Sequence, residues 1–147
     1  MGTEDLRATL RDLLMSQRLA VLATQVDKHP YTSLVAFAAT EDLRLLVFAT
    51  DRATHKFANL SANPGVAMLV DDRSHREADL SEATAVTATG CAEEAQGEEK
   101  NRLMALLLGR HPSLKPFLNS SGCALVKVTV DAYLVVTRFQ EVMELLP

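Results

Sequence analysis

Between Arg18 and Thr50 three apolar runs follow one another closely: "RLAVLATQ", "YTSLVAFAA" and "LRLLVFAT", joined only by "VDKHP" and "TED". A parallel pair of strands needs a crossover of about a dozen residues or more, and neither connector has room for one. Hairpin-length connections therefore make antiparallel pairing the expectation. Asp27 and Pro30 supply the turn chemistry of the first connector.

The rest of the chain extends this pattern. "TEDLRATLRDLLMSQ" reads as a leading helix, with Thr3 as the expected N-cap and Leu6, Leu10, Leu13 and Leu14 as one apolar stripe. A second helix, from about Thr54 to Ala62, stops at Asn63-Pro64-Gly65. "GVAMLVDD" is a strand, "RSHREADLSEA" a charged surface loop and "TAVTATGCAEEA" a longer strand. "GEEKNRLMALLLGR" is a third helix, with Glu98 placed to pair with Arg102 and Gly109 expected to close it. "HPSLKPFLNSSG" is a connector with room for one helical turn, and "CALVKVTVDAYLVVTRFQ" reads as two strands with a sharp turn near Asp131. About seven strands with helices inserted between strand groups describe a mainly β chain, an antiparallel barrel with peripheral helices. A βαβ alternation and a glycine-rich nucleotide fingerprint are both missing from the sequence. No repeat or linker divides residues 1–147, so one domain is expected.

Composition narrows the function classes. Of the 147 residues 48% are hydrophobic, enough for a real core. The net charge is −4 with no long basic run, which disfavours a nucleic-acid partner. The apolar runs are too short for helical membrane spans, and the acidic, amphipathic start is unlike a signal peptide, so a cytoplasmic protein without a membrane partner is expected. Cys91 and Cys123 each sit in an apolar strand-like run and are read as reduced core thiols that do not pair with each other. His29, His55, His75 and His111 are scattered and fit no metal-ligand spacing.

The chemistry-bearing stretch is "FATDRATHKFANLSANPG". Thr54 as N-cap places His55 and Lys56 in the first helical turn, where free amides and the positive end of the helix dipole already lie. Cations there oppose the dipole unless an anion joins them. A phosphate on the helix start would accept from the amides, from the Thr50 and Thr54 hydroxyls and from Lys56. The same residues also suit an ordinary surface helix start. The small residues Ser33, Ala36, Ala38, Ala39 and Ala49 would let a flat ring approach a strand backbone, and they equally suit a tightly packed barrel interior. His75, Arg76 and Glu77, on the charged loop, either face a substrate or are simply solvated.

With those residues in place, "HPYTSLVAFAATEDLRLLVFATDRATHKFANLSANPGVAMLVDD" resembles the FMN-binding split-barrel family, the pyridoxamine phosphate oxidase-like group. The likeness covers Leu19 to Ala95 well and the later strands loosely. It implies a split β-barrel of antiparallel Greek-key type, a homodimer and FMN at the subunit interface. Carried over by position, Ser33, Leu34, Val35 and Ala36 would line the ring, Ala49 and Thr50 would end the neighbouring strand, and Thr54, His55 and Lys56, helped by Arg52, would hold the phosphate. The family pattern often has a basic residue at the place of Ser33 and an arginine at that of His55, so this chain's anion site is weaker. The C-terminal "TRFQEVMELLP" lacks the tryptophan and histidine with which true pyridoxamine phosphate oxidases hold their substrate, which argues against that reaction. "MLVDDRSHREADLSEATAVTATG" is closer in style to the haem-utilisation branch. The resemblance thus implies an FMN-dependent oxidoreductase. A deazaflavin or haem protein, with any of the four histidines as axial ligand, and a non-catalytic flavin module are the alternatives. No catalytic residue is named, because the ring itself carries the electrons.

Overall fold

A computed structural model describes residues 2–138 and 141–147 of the chain. The strands are β1 (Leu19–Val26), β2 (His29–Ala39), β3 (Leu45–Asp51), β4 (Gly65–Asp71), β5 (Ala85–Glu94), β6 (Cys123–Thr137) and β7 (Glu141–Leu145). The helices are α1 (Thr3–Ser16), α2 (His55–Ala62), α3 (Asp79–Glu82), α4 (Gly97–Arg110) and α5 (Lys115–Leu118), with a 3-10 turn at Pro112–Leu114. Sheet order is β3-β2-β1-β4-β5-β6-β7, and a further β3–β6 pairing closes the first six strands into a barrel. Every pairing is antiparallel, as the short connectors require. The β1–β2 hairpin turns on Asp27 and Lys28, both at positive φ (45° and 68°), the geometry that matches the twist of the flanking strands.

Alternation along each strand sorts the side chains. Leu22, Phe37, Phe48, Met68 and Val86 point into the barrel, where Leu6, Leu10, Leu13 and Leu14 of α1 join them. A second cluster lies outside the barrel wall. There Ala38, Val47 and Leu125 are covered by Leu103 and Leu107 of α4 and by Leu118. Arg110 fastens α4 to the end of α1 by donating to the carbonyls of Leu14, Met15 and Gln17. His111 is buried, with its Nε2 2.8 Å from the Phe37 carbonyl oxygen.

Several expectations need correction. Gly2, not Thr3, is the N-cap of α1, and no side chain among the described residues caps that helix. The helix α4 runs through Gly109 to Arg110. The charged loop contains the short helix α3, and the connector before β6 forms two short helical pieces rather than one. No turn occurs at Asp131, because β6 is a single strand from Cys123 to Thr137. Thr89 of β5 faces Ala132 and Gly90 faces Val130, so Asp131 is the extra residue of a bulge. The inward phase of β6 accordingly shifts from Val126, Val128 and Val130 to Tyr133 and Val135. Gly90 is fixed by this arrangement, since a Cβ there would lie 2.2 Å from the Thr129 carbonyl oxygen. Phe139 and Gln140, the expected end of the last strand, lie outside the described residues. The final strand is instead β7, which pairs with the second half of β6.

The two thiols also differ. Cys123 is buried, and burial pushes its pKa up, whereas Cys91 faces outward on β5 and is exposed, against the expectation of a core thiol. Both are free. No helix among the described residues is long and apolar enough to cross a membrane.

Candidate functional site

The β3–α2 seam is built from within its own backbone. Thr54 is the N-cap of α2, and its hydroxyl accepts from the Phe57 amide at 3.3 Å. The same hydroxyl donates to the Asp51 carbonyl at 2.8 Å and lies 2.9 Å from the Thr50 hydroxyl. Asp51 in turn accepts the Ala53 amide through Oδ1 at 2.8 Å. The Ala58 amide bonds the Thr54 carbonyl oxygen. That leaves the amides of His55 and Lys56 as the first-turn donors without a capping partner among the described residues.

An open cavity of about 280 Å³ lies against this seam, lined by Leu34, Val35, Ala36, Ala49, Thr50, Asp51, Thr54, Lys56, Leu114 and Phe117. Its floor is the outer surface of β2 and β3. On β2 the inward side chains are Val35, Phe37 and Ala39, so Leu34 and Ala36 point outward into the cavity. Ala49 points the same way on β3 and packs at the edge of the outer cluster. Small-molecule cavities measure roughly 300–1,000 Å³, and this one falls just below that range.

The structure brings together Leu34, Val35, Ala36, Ala49, Thr50, Thr54 and Lys56 of the expected set. Ser33, Arg52 and His55 do not line the cavity. Ser33 sits on the inward phase of β2, and its buried hydroxyl oxygen has no hydrogen-bond partner among the described residues. Arg52 is committed elsewhere: it donates to Glu94 at 2.6 Å and to the Ser121 carbonyl at 3.2 Å, and Glu94 raises its pKa. The ring of His55 packs against Tyr31, with centroids 6.1 Å apart. Thr50 is 3% exposed, and the two threonine hydroxyls already donate within the seam. The donors left at the seam are therefore Lys56, which lines the cavity, and the uncapped amides of the first turn of α2. Among the described residues the Asp51 carboxylate is the one acidic side chain lining it, and the Ala53 N–H draws on that charge.

Leu114 and Phe117 escape the sequence reading. They come from the connector, where Leu114, Phe117 and Leu118 recur at helical spacing. Read as periodicity rather than as a loop, that signal predicts a helical piece with one face against the barrel.

None of the four histidines offers its imidazole to this cavity. His111 is buried and bonded to Phe37, the Nδ1 of His29 lies 3.0 Å from the Asp27 carbonyl oxygen, His55 faces Tyr31, and His75 lines a different cavity. Among the described residues no group of three His, Cys, Asp or Glu side chains is placed to hold a metal ion.

A closed six-strand barrel with a cavity on the outer face of β2 and β3 and a capped helix start beside it defines the split-barrel class of proteins. The family model for pyridoxamine 5'-phosphate oxidase matches residues 6–130, and the chain belongs to that family. No curated relative matches the chain significantly. Solved structures share the fold at low identity. A haem-binding protein from Mycobacterium smegmatis superposes with a TM-score of 0.86 at 19% identity, over 95% of this chain and 57% of its own. The chain thus spans little more than half the length of that protein. HutZ, the haem storage protein from Vibrio cholerae, gives 0.76 at 14% identity, over 94% of this chain and 96% of its own. An FAD-binding protein from Mesorhizobium loti gives 0.67 at 19% identity, over 87% and 91%.

Proposed function

We propose that the chain binds FMN in the β2–β3–α2 cavity and acts as a flavin-dependent oxidoreductase, working as a homodimer in the cytoplasm. One observation carries the reading. Lys56, in the first turn of α2 where two amides are uncapped, lines an open cavity whose floor is strand backbone under the small side chains of Ala36 and Ala49. Lys56 and the amides of His55 and Lys56 hold the phosphate. Leu34, Ala36 and Ala49 let the ring lie close to β2 and β3, and Phe117 covers its edge. The side chains of Arg52 and His55 take no part in holding the phosphate; their role is to position α2, through Glu94 and Tyr31. The flavin, when bound, supplies the two-electron chemistry. The protein binds it, orients it and limits its access to water.

The homodimer supplies the missing wall. Leu34, Val21 and Leu69 form a row across the outer faces of β2, β1 and β4, with Leu34 64% exposed and Leu19 beside it 50% exposed. A second copy covering this row would bury roughly 1,600 Å² in an interface of standard size.

The haem relatives make haem the alternative ligand to exclude. The cavity has no imidazole among the described residues to serve as an axial ligand, which favours flavin. The test is an absorption spectrum of the purified protein, followed by titration with FMN. Bands at flavin wavelengths and saturable FMN binding are expected. A Soret band from retained haem, with no FMN binding, would overturn the reading.

A further inference from the structure

Asp51 brings a negative charge to the cavity at the β3–α2 seam, where a bound phosphate gains nothing from it. The inward side chains of β3 are Leu46 and Phe48. Asp51 therefore ends the strand on the outer face, one pleat beyond Ala49. Its backbone carries the start of α2: the Asp51 carbonyl oxygen accepts from the Thr54 amide at 3.2 Å and from the Thr54 hydroxyl at 2.8 Å. The residue thus stands between the floor of small side chains and the first turn of α2.

The carboxylate is half used. Oδ1 accepts the Ala53 amide at 2.8 Å. Among the described residues Oδ2 accepts no hydrogen bond, and the group joins no ion pair. Arg52, the next residue, is drawn instead to Glu94. The neighbour of Oδ2 is Gly122, where a Cβ would lie 3.2 Å from that oxygen. With glycine there, no side chain at that position crowds the carboxylate. A carboxylate accepts hydrogen bonds and donates none. A ligand that runs from the floor to the helix start and ends in an anion meets a second anion on the way. The part of it that passes Asp51 must therefore carry donors.

We propose that Asp51 selects the linker of the ligand: its carboxylate accepts from the hydroxyl groups of a polyol chain that joins a flat ring to a phosphate. This rests on the flavin reading above, in which the ring lies over Ala36 and Ala49 and the phosphate at Lys56. The ribityl chain of FMN is such a linker.

Three flavins test it: lumiflavin, riboflavin and FMN, which are the ring alone, the ring with the ribityl chain, and the ring with both chain and phosphate. Wild type, Asp51→Asn and Asp51→Ala, each as the full-length chain, are titrated with all three while flavin fluorescence is followed. Asp51→Asn keeps an oxygen for the Ala53 amide and removes only the charge, so it reports even where the alanine variant folds poorly. Asp51→Ala is expected to weaken riboflavin about tenfold or more and to leave lumiflavin within about twofold. Asp51→Asn weakens riboflavin less than Asp51→Ala does. In both variants FMN loses less affinity than riboflavin, because the repulsion between carboxylate and phosphate is removed together with the hydroxyl contact. Riboflavin unchanged while FMN tightens would place the carboxylate against the phosphate alone and overturn the proposal. Equal weakening of all three flavins would reduce Asp51 to a support of the seam, and no change in any would leave it a solvated carboxylate; either result also overturns it. The wild-type titration reports separately on the flavin reading. Wild type that binds none of the three flavins sinks that reading and this one with it, whereas wild type that binds FMN keeps the flavin reading whatever the Asp51 variants do.

Discussion

Ala38 and Leu34 stand on the same outer face of one strand, yet Ala38 is 0% exposed and Leu34 64% exposed. The difference is what lies above them. Over Ala38, Val47 and Leu125 the helix α4 lays down Leu103 and Leu107, and that part of the barrel wall is core on both sides. Over Leu34 no such helix lies among the described residues. A larger apolar side chain is thus exposed where a smaller one is buried, so hydrophobicity of the strand alone does not decide exposure. The covered face is there for stability. The uncovered face, where Leu34 borders the cavity at the β3–α2 seam, is the one proposed to meet the ligand and the second copy.

The covered face gives the largest expected effect. Leu107 is fully buried, so Leu107→Ala should cost about 2–5 kcal/mol of stability, measured by urea unfolding of the purified protein. A loss below about 0.5 kcal/mol, the range of surface substitutions, would mean that α4 covers nothing of consequence, and the contrast between the faces would collapse.

The uncovered face should behave in the opposite way. Leu34→Asp removes little from the stability of an isolated protomer, about 0.5 kcal/mol or less for an exposed position. In a two-fold dimer it sets a charge against the apolar row of the second copy, so light scattering should show a shift from dimer to monomer. A variant that stays dimeric at micromolar concentration, with FMN present, would show that the interface lies elsewhere.

Much of the covered face is legible in the sequence and much of the uncovered face is not. The first three strands are readable because their connectors are too short for anything but hairpins. The helix α4 is readable because Leu103 and Leu107 repeat at helical spacing. Thr54 is readable as a cap, and the structure puts the Phe57 amide on its hydroxyl. The last strands mislead for a physical reason. The bulge at Asp131 inverts the alternation of β6, and a polar residue where the phase breaks looks like a turn. Only the partner strand, with Gly90 pressed against Thr129, shows that the chain runs on. Cys91 misleads because an apolar run reads as buried on both faces, whereas β5 alternates and turns Cys91 out. In the site, adjacency in sequence suggests a shared ligand, but strand pleat sends Ser33 and Leu34 to opposite faces. Arg52 drops out because Glu94, distant in sequence, claims it.

A smaller effect sharpens the rim of the uncovered face. Asp79 accepts hydrogen bonds from the Ser74 amide and hydroxyl and from the His75 and Arg76 amides, and these hold its pKa below the ordinary 3.8. A carboxylate with a depressed folded pKa contributes its stabilisation fully above the unfolded value and loses it as pH falls through the folded one. Amide exchange at Ser74–Arg76, corrected for intrinsic rates, should therefore show constant protection from neutral pH down to about pH 4 and loss of it below. In Asp79→Asn protection should already be reduced at neutral pH. Protection of wild type that does not change across the acid range would remove Asp79 as the fastening of this loop.

The sharpest probe of the uncovered face is Lys56. Among the described residues it is the one cationic side chain lining the first cavity, and a bond from it to a phosphate is worth about 1.5–3 kcal/mol, or roughly 10- to 150-fold in affinity. Riboflavin carries the same ring without the phosphate. Titration of wild type and Lys56→Ala with both ligands yields the dissociation constants that separate phosphate from ring. A phosphate held at the β3–α2 seam makes Lys56→Ala weaken FMN by about 10- to 150-fold, without abolishing binding because the α2 amides remain, and leaves riboflavin within about twofold. Equal weakening of both ligands, or of neither, would contradict the assignment of the β3–α2 seam as a phosphate site.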